Sequence, residues 1–223
     1  MLLIFDCDGV LVDSEVLACR IDAEVLTGIG IPYTADEIMA QFVGGSLKDM
    51  MARIETDRGC TLPPDFAAEL NRTLFSRFET DLKPIAGVRE AVQALAMPRC
   101  VASSSSPDRI ALSLRVTGLD GLFDHVFSAS QVPRGKPAPD LFLHAAARMG
   151  QSPDSCVVIE DSLFGVQAAR NAGMRVIGFT GGGHCPDGHA AILEAAGAHR
   201  IVDRMADLPP AVLDLRPALA RSR

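Results

Sequence analysis

The sequence is poor in aromatic and basic residues. It has no tryptophan, one tyrosine, and 21 lysines and arginines against 28 acidic residues, which gives a net charge of −7. Proteins that bind nucleic acids rely on basic patches and on aromatic side chains that stack on bases. We therefore expect no nucleic-acid partner.

Long apolar runs are absent as well. No stretch approaches the about 18 consecutive apolar residues of a membrane-spanning helix. The opening run, 1–5, reaches Asp6 at once and has no charged segment before it, so it lacks the organisation of a signal peptide. We therefore expect no membrane partner and a cytoplasmic location.

The six cysteines are widely spaced, and none forms a CxxC pair of the kind that binds metals or carries out redox chemistry. Without an export signal, free thiols are expected rather than disulfides. Cys100 and Cys156 each open an apolar run and are predicted to be small buried residues. The length of 223 residues and the 48% apolar content suit one globular domain, or one domain with a smaller insertion. We expect a monomer or a weak dimer.

Short apolar runs without polar alternation predict strands that are buried on both faces. These runs are 2–5, 100–102, 156–159 and 174–179, with a weaker one at 125–127. Segments with helical periodicity lie between them, near 86–96, 107–117, 138–149 and 163–172. Strands that alternate with helices predict an α/β fold with a doubly wound parallel sheet.

The region 14–83 has apolar residues at helical spacing and no convincing strand. It predicts an inserted α-helical cap domain at 14–83, with the core domain formed by 1–13 and 84–223. Two chain crossings, the second at 82–87, would let the cap tilt over the sheet as a lid. A rigidly packed helical bundle is the alternative.

Carboxylates and hydroxyls follow three of the predicted strands. Asp6 and Asp8 follow the first, a run of serines from Ser103 follows the second, and Glu160 and Asp161 follow the strand at 156–159. The carboxyl ends of parallel strands share one edge of the sheet, where such folds bind ligands. Crowded carboxylates need a cation between them. Hard oxygen ligands beside a phosphate favour Mg²⁺.

One basic residue is placed to join this cluster. Lys136 precedes Pro137, which disfavours a helical conformation and fixes the lysine in a loop. Its charge could pair with Asp6 and with a phosphoryl oxygen. The alternative is a solvated surface lysine.

Four motifs in this order resemble those of the haloacid dehalogenase superfamily. They are the stretch from Asp6 to Ser14, Ser103 after its strand, Gly135-Lys136-Pro137 with Pro139-Asp140 and Phe142, and Glu160-Asp161-Ser162 followed by Gly165, Ala168-Ala169 and Ala172-Gly173-Met174. A lone DxDG would be weak evidence, but four motifs that each follow a predicted strand or open a predicted helix are specific. The resemblance covers most of the chain, from residue 4 to about 179, and implies a Rossmann-like core with a helical cap.

The resemblance also implies a role for each matching residue. Asp6 would be the nucleophile that forms an aspartyl-phosphate, and Asp8 the general acid and base. Ser103, Ser104 and Lys136 would hold the phosphoryl oxygens. Ser104 also fits a polar loop residue, and Ser105 is a weaker phosphate ligand. The implied Mg²⁺ ligands are the Asp6 carboxylate, the Asp8 main-chain carbonyl, the Asp161 carboxylate, and Glu160 directly or through water.

Other short patterns receive structural interpretations. Asp13 and Ser14 fit a helix cap. The triple glycine 181–183 lacks the lysine of a phosphate-binding loop and predicts a flexible turn. His184, Cys185, Asp187 and His189 could form a metal cluster, but a polar surface loop is favoured because no second cluster completes it.

Three functions compete. The first is a phosphatase of small phosphorylated metabolites, the second a mutase resembling β-phosphoglucomutase, and the third, from a different class, a phospho-acceptor switch protein. The switch is disfavoured by motif order and by the long insertion, and Asp8 disfavours a haloalkanoate dehalogenase.

The cap favours the phosphatase over the mutase. Its predicted substrate loop contains Gly44, Gly45, Ser46 and Lys48. Leu47 stands where β-phosphoglucomutases have an arginine for the second phosphate, and Ala18 where they have a histidine. Lys48 could partly replace that arginine. The best likeness is therefore to phosphatases of sugar and sugar-acid phosphates.

Overall fold

The computed structural model describes residues 1–43 and 47–216. Its centre is a six-stranded sheet in the order β3-β2-β1-β4-β5-β6, and every neighbouring pair of strands is parallel. The strands are β1 Leu2–Phe5, β2 Arg99–Ser103, β3 Val126–Ser128, β4 Cys156–Glu160, β5 Arg175–Phe179 and β6 Arg200–Val202. The predicted doubly wound α/β fold is confirmed. β6 is an additional edge strand of three residues that its short sequence did not reveal.

The apolar runs form strands because both of their faces are covered. In β1 alternate residues belong to different hydrophobic clusters, with Leu3 and Phe5 on one face and Leu2 and Ile4 on the other. All four side chains are fully buried. Burying a side chain of this size contributes about 1.5–3 kcal/mol. Such a strand is stable only at the centre of a sheet that has helices on both sides.

The predicted buried cysteines are confirmed. Cys100 and Cys156 have no exposed surface, and all six cysteines are free thiols. Both residues lie in the cluster that packs against Leu141 and Phe142 of the helix following Lys136. They serve as small apolar residues between the sheet and its helices.

The segment predicted to be helical forms four helices in its described part. They are α1 Ser14–Gly28, α2 Ala35–Phe42, α3 Leu47–Arg58 and α4 Phe66–Asp81. Gly44, Gly45 and Ser46 of the predicted substrate loop lie outside the described residues. Lys48 is exposed on α3. We refer to residues 14–83 as the cap, with its limits as the sequence predicts them.

The two chain crossings between cap and core are joined by main-chain hydrogen bonds. The amide of Asp13 donates to the carbonyl of Lys83 over 3.0 Å, and the amide of Ile85 donates to the carbonyl of Leu11 over 3.0 Å. Val12 and Pro84 form an isolated antiparallel bridge between these bonds. The cap therefore leaves and re-enters the core through two adjacent, paired segments.

Six further α-helices of the described residues cover the sheet. They are α5 Val88–Ala94, α6 Pro107–Val116, α7 Asp140–Arg148, α8 Leu163–Asn171, α9 His189–Ala195 and α10 Leu208–Asp214. Ser106 caps α6 by accepting from the amide of Arg109, and Ser162 caps α8 by accepting from the amide of Gly165. These caps fix where the two helices begin, directly beyond β2 and β4. Across the described ranges, no helix is both long and apolar enough to cross a bilayer.

Candidate active site

The carboxyl edge of the two central strands, β1 and β4, carries the acidic cluster. Asp6 directly follows β1, and its amide donates to the carbonyl of Ile159 in β4 over 2.9 Å. Glu160 ends β4 and Asp161 follows it. Carboxylate oxygens of Asp6, Glu160 and Asp161 lie within 4.8 Å of one another, and all three residues are buried. The three carboxylates therefore form a cluster of hard oxygen ligands.

Lys136 lies between two of these carboxylates. Its Nζ donates to Asp6 Oδ1 and to Glu160 Oε1, each over 2.6 Å, and its side chain is 6% exposed. Burial opposes the charged form, but the two carboxylates outweigh this effect and raise the pKa of Lys136. The lysine is thus a fixed positive charge in the centre of the cluster, not a solvated surface residue.

The acidic cluster is held against strong electrostatic repulsion. Burial raises the pKa of Asp6 well above its usual value, and three neighbouring carboxylates add to this effect, whereas Lys136 opposes it. The pKa of Asp161 is also raised, mainly by burial, with the hydrogen bond from His184 acting in the opposite direction. A divalent cation would relieve this repulsion and hold both groups ionised. The donor set therefore fits Mg²⁺ or another hard cation.

Glu160 has partners for both of its oxygens. Oε1 accepts from Lys136, and Oε2 accepts from the amide and the hydroxyl of Ser162 over 2.8 and 2.9 Å. A side chain on Gly165 would overlap the Glu160 carboxylate. The glycine of the fourth motif therefore leaves room for a carboxylate that is locked in one orientation.

Asp8 occupies a separate network, on the side facing the cap and α6. Its Oδ1 accepts from Ser14 Oγ over 2.6 Å and from Arg109 Nη2 over 3.0 Å. Its Oδ2 accepts from Ser105 Oγ over 2.6 Å and from Ser103 Oγ over 3.4 Å. Burial favours the neutral form, but Arg109 and the serine hydroxyls outweigh it and lower the pKa of Asp8. In this state Asp8 is an ionised carboxylate.

The serines differ in how they reach the site. Ser103 is buried at the end of β2, whereas Ser104 is exposed. Ser105, which the sequence ranked below Ser103, makes the shorter contact with Asp8. Ser14 does not cap α1, because its hydroxyl is used by Asp8. Its place at the end of the first motif is the sequence signal for this contact.

Arg109 is a residue of the site that the sequence did not reveal. It lies in the first turn of α6, three positions after the Ser106 cap, and its guanidinium stands 5.1 Å from the ring centre of Phe78 in α4. Its Nε is buried without a hydrogen-bond partner. Arg109 thus joins Asp8 of the core to an aromatic side chain of the cap. The only available signal was the helix start predicted near 107.

The segment 180–189 corrects another interpretation from the sequence. His184 is buried, and its Nε2 lies 2.9 Å from Asp161 Oδ2. His189 bonds through Nε2 to the main-chain carbonyl of Asp161 over 2.6 Å. The expectation of a polar surface loop is therefore wrong for His184. A glycine-rich segment after β5 brings the imidazole back to the end of β4.

Gly9 explains how these groups approach so closely. Its φ of +76° lies in the left-handed region that favours glycine. A Cβ at this position would overlap the Asp161 carboxylate and stand 2.8 Å from His184 Cε1. The glycine of the first motif therefore allows the turn after β1 to pass against the metal-ligand candidate Asp161.

Comparison with known proteins shows which proteins this chain resembles. A family model described as haloacid dehalogenase-like hydrolase matches residues 3–179. The 6-phosphogluconate phosphatase of Escherichia coli K12 is 32% identical over 187 residues, which are 83% of this chain and 82% of that protein.

Two solved structures are also similar. A haloacid dehalogenase-like protein of unknown function from Agrobacterium tumefaciens is 42% identical with a TM-score of 0.87, covering 96% of this chain and 98% of that one. A family hydrolase from Deinococcus radiodurans, solved with phosphate and sodium, is 36% identical with a TM-score of 0.81, covering 96% and 95% of the two chains.

Proposed function

The chain belongs to the haloacid dehalogenase-like hydrolases, and we propose that it is a Mg²⁺-dependent phosphatase that hydrolyses small phosphorylated metabolites through an aspartyl-phosphate on Asp6. The observation that carries this proposal is the buried lysine between Asp6 and Glu160, beside Asp161. In such an arrangement the lysine charge favours the ionised form of a carboxylate nucleophile and would also lie close to the phosphoryl oxygens.

In the first half of the reaction Asp6 is the nucleophile. A carboxylate oxygen of Asp6 attacks the phosphorus, an O–P bond forms, and the ester O–P bond breaks. The leaving alkoxide takes a proton from Asp8. Lys136 supports the step because its charge favours the ionised form of Asp6 and so opposes part of the effect of burial.

In the second half Asp8 removes a proton from a water molecule, which attacks the same phosphorus and releases inorganic phosphate from Asp6. The ionised form of Asp8 described above suits this role. For the first half Asp8 must carry a proton, which its contact with Arg109 opposes. The cycle therefore requires the Arg109–Asp8 contact to loosen when substrate enters.

The carboxylates of Asp6 and Asp161 and the main-chain carbonyl of Asp8 would hold Mg²⁺. Glu160, whose oxygens have other partners, would act through Lys136 or through water. When bound, Mg²⁺ supplies charge that stabilises the phosphoryl oxygens. Lys136, Ser103 and Ser104 would bind those oxygens from the protein side.

The proposed substrates are sugar and sugar-acid phosphates. The similarity to 6-phosphogluconate phosphatase supports this class, and the predicted cap loop with Gly44, Gly45, Ser46 and Lys48 would contact the sugar. A screen of phosphorylated sugars and acids for release of inorganic phosphate tests the proposal. We expect turnover with Mg²⁺ and a preference within this class. No hydrolysis of any phosphomonoester would contradict it.

Removal of the cation is expected to abolish turnover reversibly. Chelation should stop phosphate release and added Mg²⁺ should restore it, because without the cation the carboxylate cluster repels an anionic substrate. Ca²⁺ should inhibit, since its larger and looser coordination displaces the reacting groups. Initial rates across a Mg²⁺ titration, with and without Ca²⁺, measure both effects. Full activity in excess chelator would contradict the cation's role.

Asp8→Asn is expected to slow turnover by about 10²–10⁴-fold, the usual range for the loss of a general acid and base. Asparagine keeps the shape and can still accept from Ser105, so the fold should persist. Asp108→Asn, an exposed position on α6, is the control and should behave as native. Normal turnover by Asp8→Asn would show that the Asp8 side chain is not the general acid and base, and would leave only the proposed role of its main-chain carbonyl as a Mg²⁺ ligand.

One assay separates phosphatase from mutase. Leu47 offers no charge for a second phosphate, and the loss of one charged hydrogen bond costs about 1.5–3 kcal/mol. With β-glucose 1-phosphate and a trace of the 1,6-bisphosphate, we expect inorganic phosphate and little glucose 6-phosphate. Efficient formation of glucose 6-phosphate without phosphate release would favour the mutase and would direct attention to Lys48.

A further inference from the structure

His184 lies in a narrow space between two glycine-containing segments of the chain. A Cβ on Gly9 or on Gly182 would stand 2.8 Å from His184 Cε1. The side chain is 6% exposed, and its Nδ1 is buried without a hydrogen-bond partner. These close contacts restrict rotation of the ring. Its Nε2 lies 2.9 Å from Asp161 Oδ2.

We propose that His184 is a positioning residue that fixes the Asp161 carboxylate for the divalent cation, by donating from Nε2 to Oδ2 and leaving Oδ1 for the metal. The proposal rests on the cation site of the proposed function. His184 acts through Asp161 and has no direct contact with the reacting atoms. The proposal assigns a function to the segment 180–189, which lies outside the four motifs.

A second contact from the same segment holds the main chain of Asp161. His189 Nε2 and the Asp161 carbonyl oxygen are 2.6 Å apart, and a carbonyl can only accept, so His189 donates. The two imidazole rings are 6.4 Å apart and meet edge to face. Residues 184–189 therefore hold both the backbone and the side chain of one proposed metal ligand.

The need for such support follows from the crowding at the site. Asp161 is buried beside Asp6 and Glu160, whose like charges favour turning its carboxylate away from them, and an opposing donor counters this tendency. Partners that orient a metal-ligating group are needed for full affinity, and their loss typically weakens metal binding about 10–100-fold. His184 is the side-chain donor to Asp161 among the described residues.

Calorimetric titration of the metal-free protein with Mg²⁺, in the absence of substrate, tests the proposal. His184→Gln places an amide nitrogen near the position of Nε2 and keeps the donor, whereas the side chain of His184→Asn is too short to reach Oδ2. Both variants are uncharged and similar in polarity. We expect His184→Asn to bind Mg²⁺ about 10–100-fold more weakly than the native protein and His184→Gln to recover most of that loss. His125→Ala, at an exposed position, should bind as the native protein does.

The measurement separates this inference from the proposed function. If the native protein binds Mg²⁺ and His184→Asn binds it equally well, His184 has no positioning role and the phosphatase proposal stands. Equal weakening by both variants would also overturn the inference, because it would reflect loss of packing rather than loss of the donor. If the native protein binds no divalent cation, the cation site and this inference both fail.

Discussion

Asp6→Asn is expected to abolish phosphate release, with a loss of about 10⁴-fold or more in turnover, as is usual when a covalent nucleophile is removed. Asparagine is nearly isosteric and can still accept a hydrogen bond from Lys136, which now contacts Asp6 over 2.6 Å. The amide oxygen is a far weaker nucleophile than a carboxylate, and no other carboxylate has the same place at the end of β1. The expected defect therefore lies in chemistry rather than in folding.

Steady-state assays and thermal unfolding of the same sample check this expectation. We expect a melting temperature close to that of the native protein, together with near-complete loss of turnover. Asp108→Asn, already the control for Asp8, controls for the change of one surface carboxylate. Turnover by Asp6→Asn within about tenfold of native, far above the loss seen for nucleophiles, would remove Asp6 from the reaction.

Lys136→Met is expected to have the largest effect on stability. Breaking a buried ion pair by removing one partner costs about 3–5 kcal/mol, because a buried charge is left uncompensated. Here two carboxylates, Asp6 and Glu160, lose their shared cation, and each is buried. Turnover should also fall, by about 10²–10³-fold, since a fixed donor for the phosphoryl oxygens is lost.

Arg134→Met is the matched control for this change. Arg134 also pairs with an aspartate, Asp140, over 2.7 Å, but its side chain is 70% exposed. Exposed pairs contribute about 0–1 kcal/mol. Chemical denaturation of both variants should therefore give a large decrease in the free energy of unfolding for Lys136→Met and little change for Arg134→Met. Equal, small effects would show that the Lys136 cluster does not stabilise the folded protein.

The pH dependence of the Lys136→Met variant provides a separate check. The pKa of Asp6 is raised even with Lys136 present, and it should rise further without it. A carboxyl group whose pKa is higher in the folded than in the unfolded state stabilises the folded protein only when it is protonated. The loss in free energy of unfolding of Lys136→Met, relative to the native protein, should therefore be smaller at about pH 5.5 than at about pH 7.5. If this loss grew at the lower pH, the destabilisation of the variant could not come from ionised carboxylates.

The fold and the acidic cluster could be predicted because both follow from repeating local patterns. Runs such as 156–159 have no polar alternation, which is typical of strands covered on both faces. In a parallel sheet, whatever follows those strands lies at one edge. Asp6, Glu160 and Asp161 therefore come together without any knowledge of side-chain detail. β6 was not predicted because three residues at a sheet edge leave too short a pattern.

Arg109 and His184 could not be predicted because their contacts depend on geometry beyond the strand ends. Arg109 reaches Asp8 only because the Ser106 cap fixes where α6 begins and which residue of its first turn faces inward. His184 reaches Asp161 only because Gly9 and Gly182 leave room for its ring. Glycines in a loop favour a flexible turn when read alone. The room that these glycines leave for the His184 ring becomes visible only when the turn after β1 and the segment after β5 are both placed in the fold.

The central claim is that Asp6 carries the phosphoryl group during turnover, and chemical trapping tests it most directly. The enzyme is mixed with substrate and Mg²⁺, quenched in acid within the first turnover, and treated with borohydride, which reduces an acyl phosphate to the alcohol. Mass spectrometry of the peptide containing residues 1–20 should then show homoserine at position 6, and aspartate at position 8. No such product should form from Asp6→Asn or from enzyme without substrate. Reduction at Asp8, or first-turnover phosphate release with aspartate intact at position 6, would contradict the account.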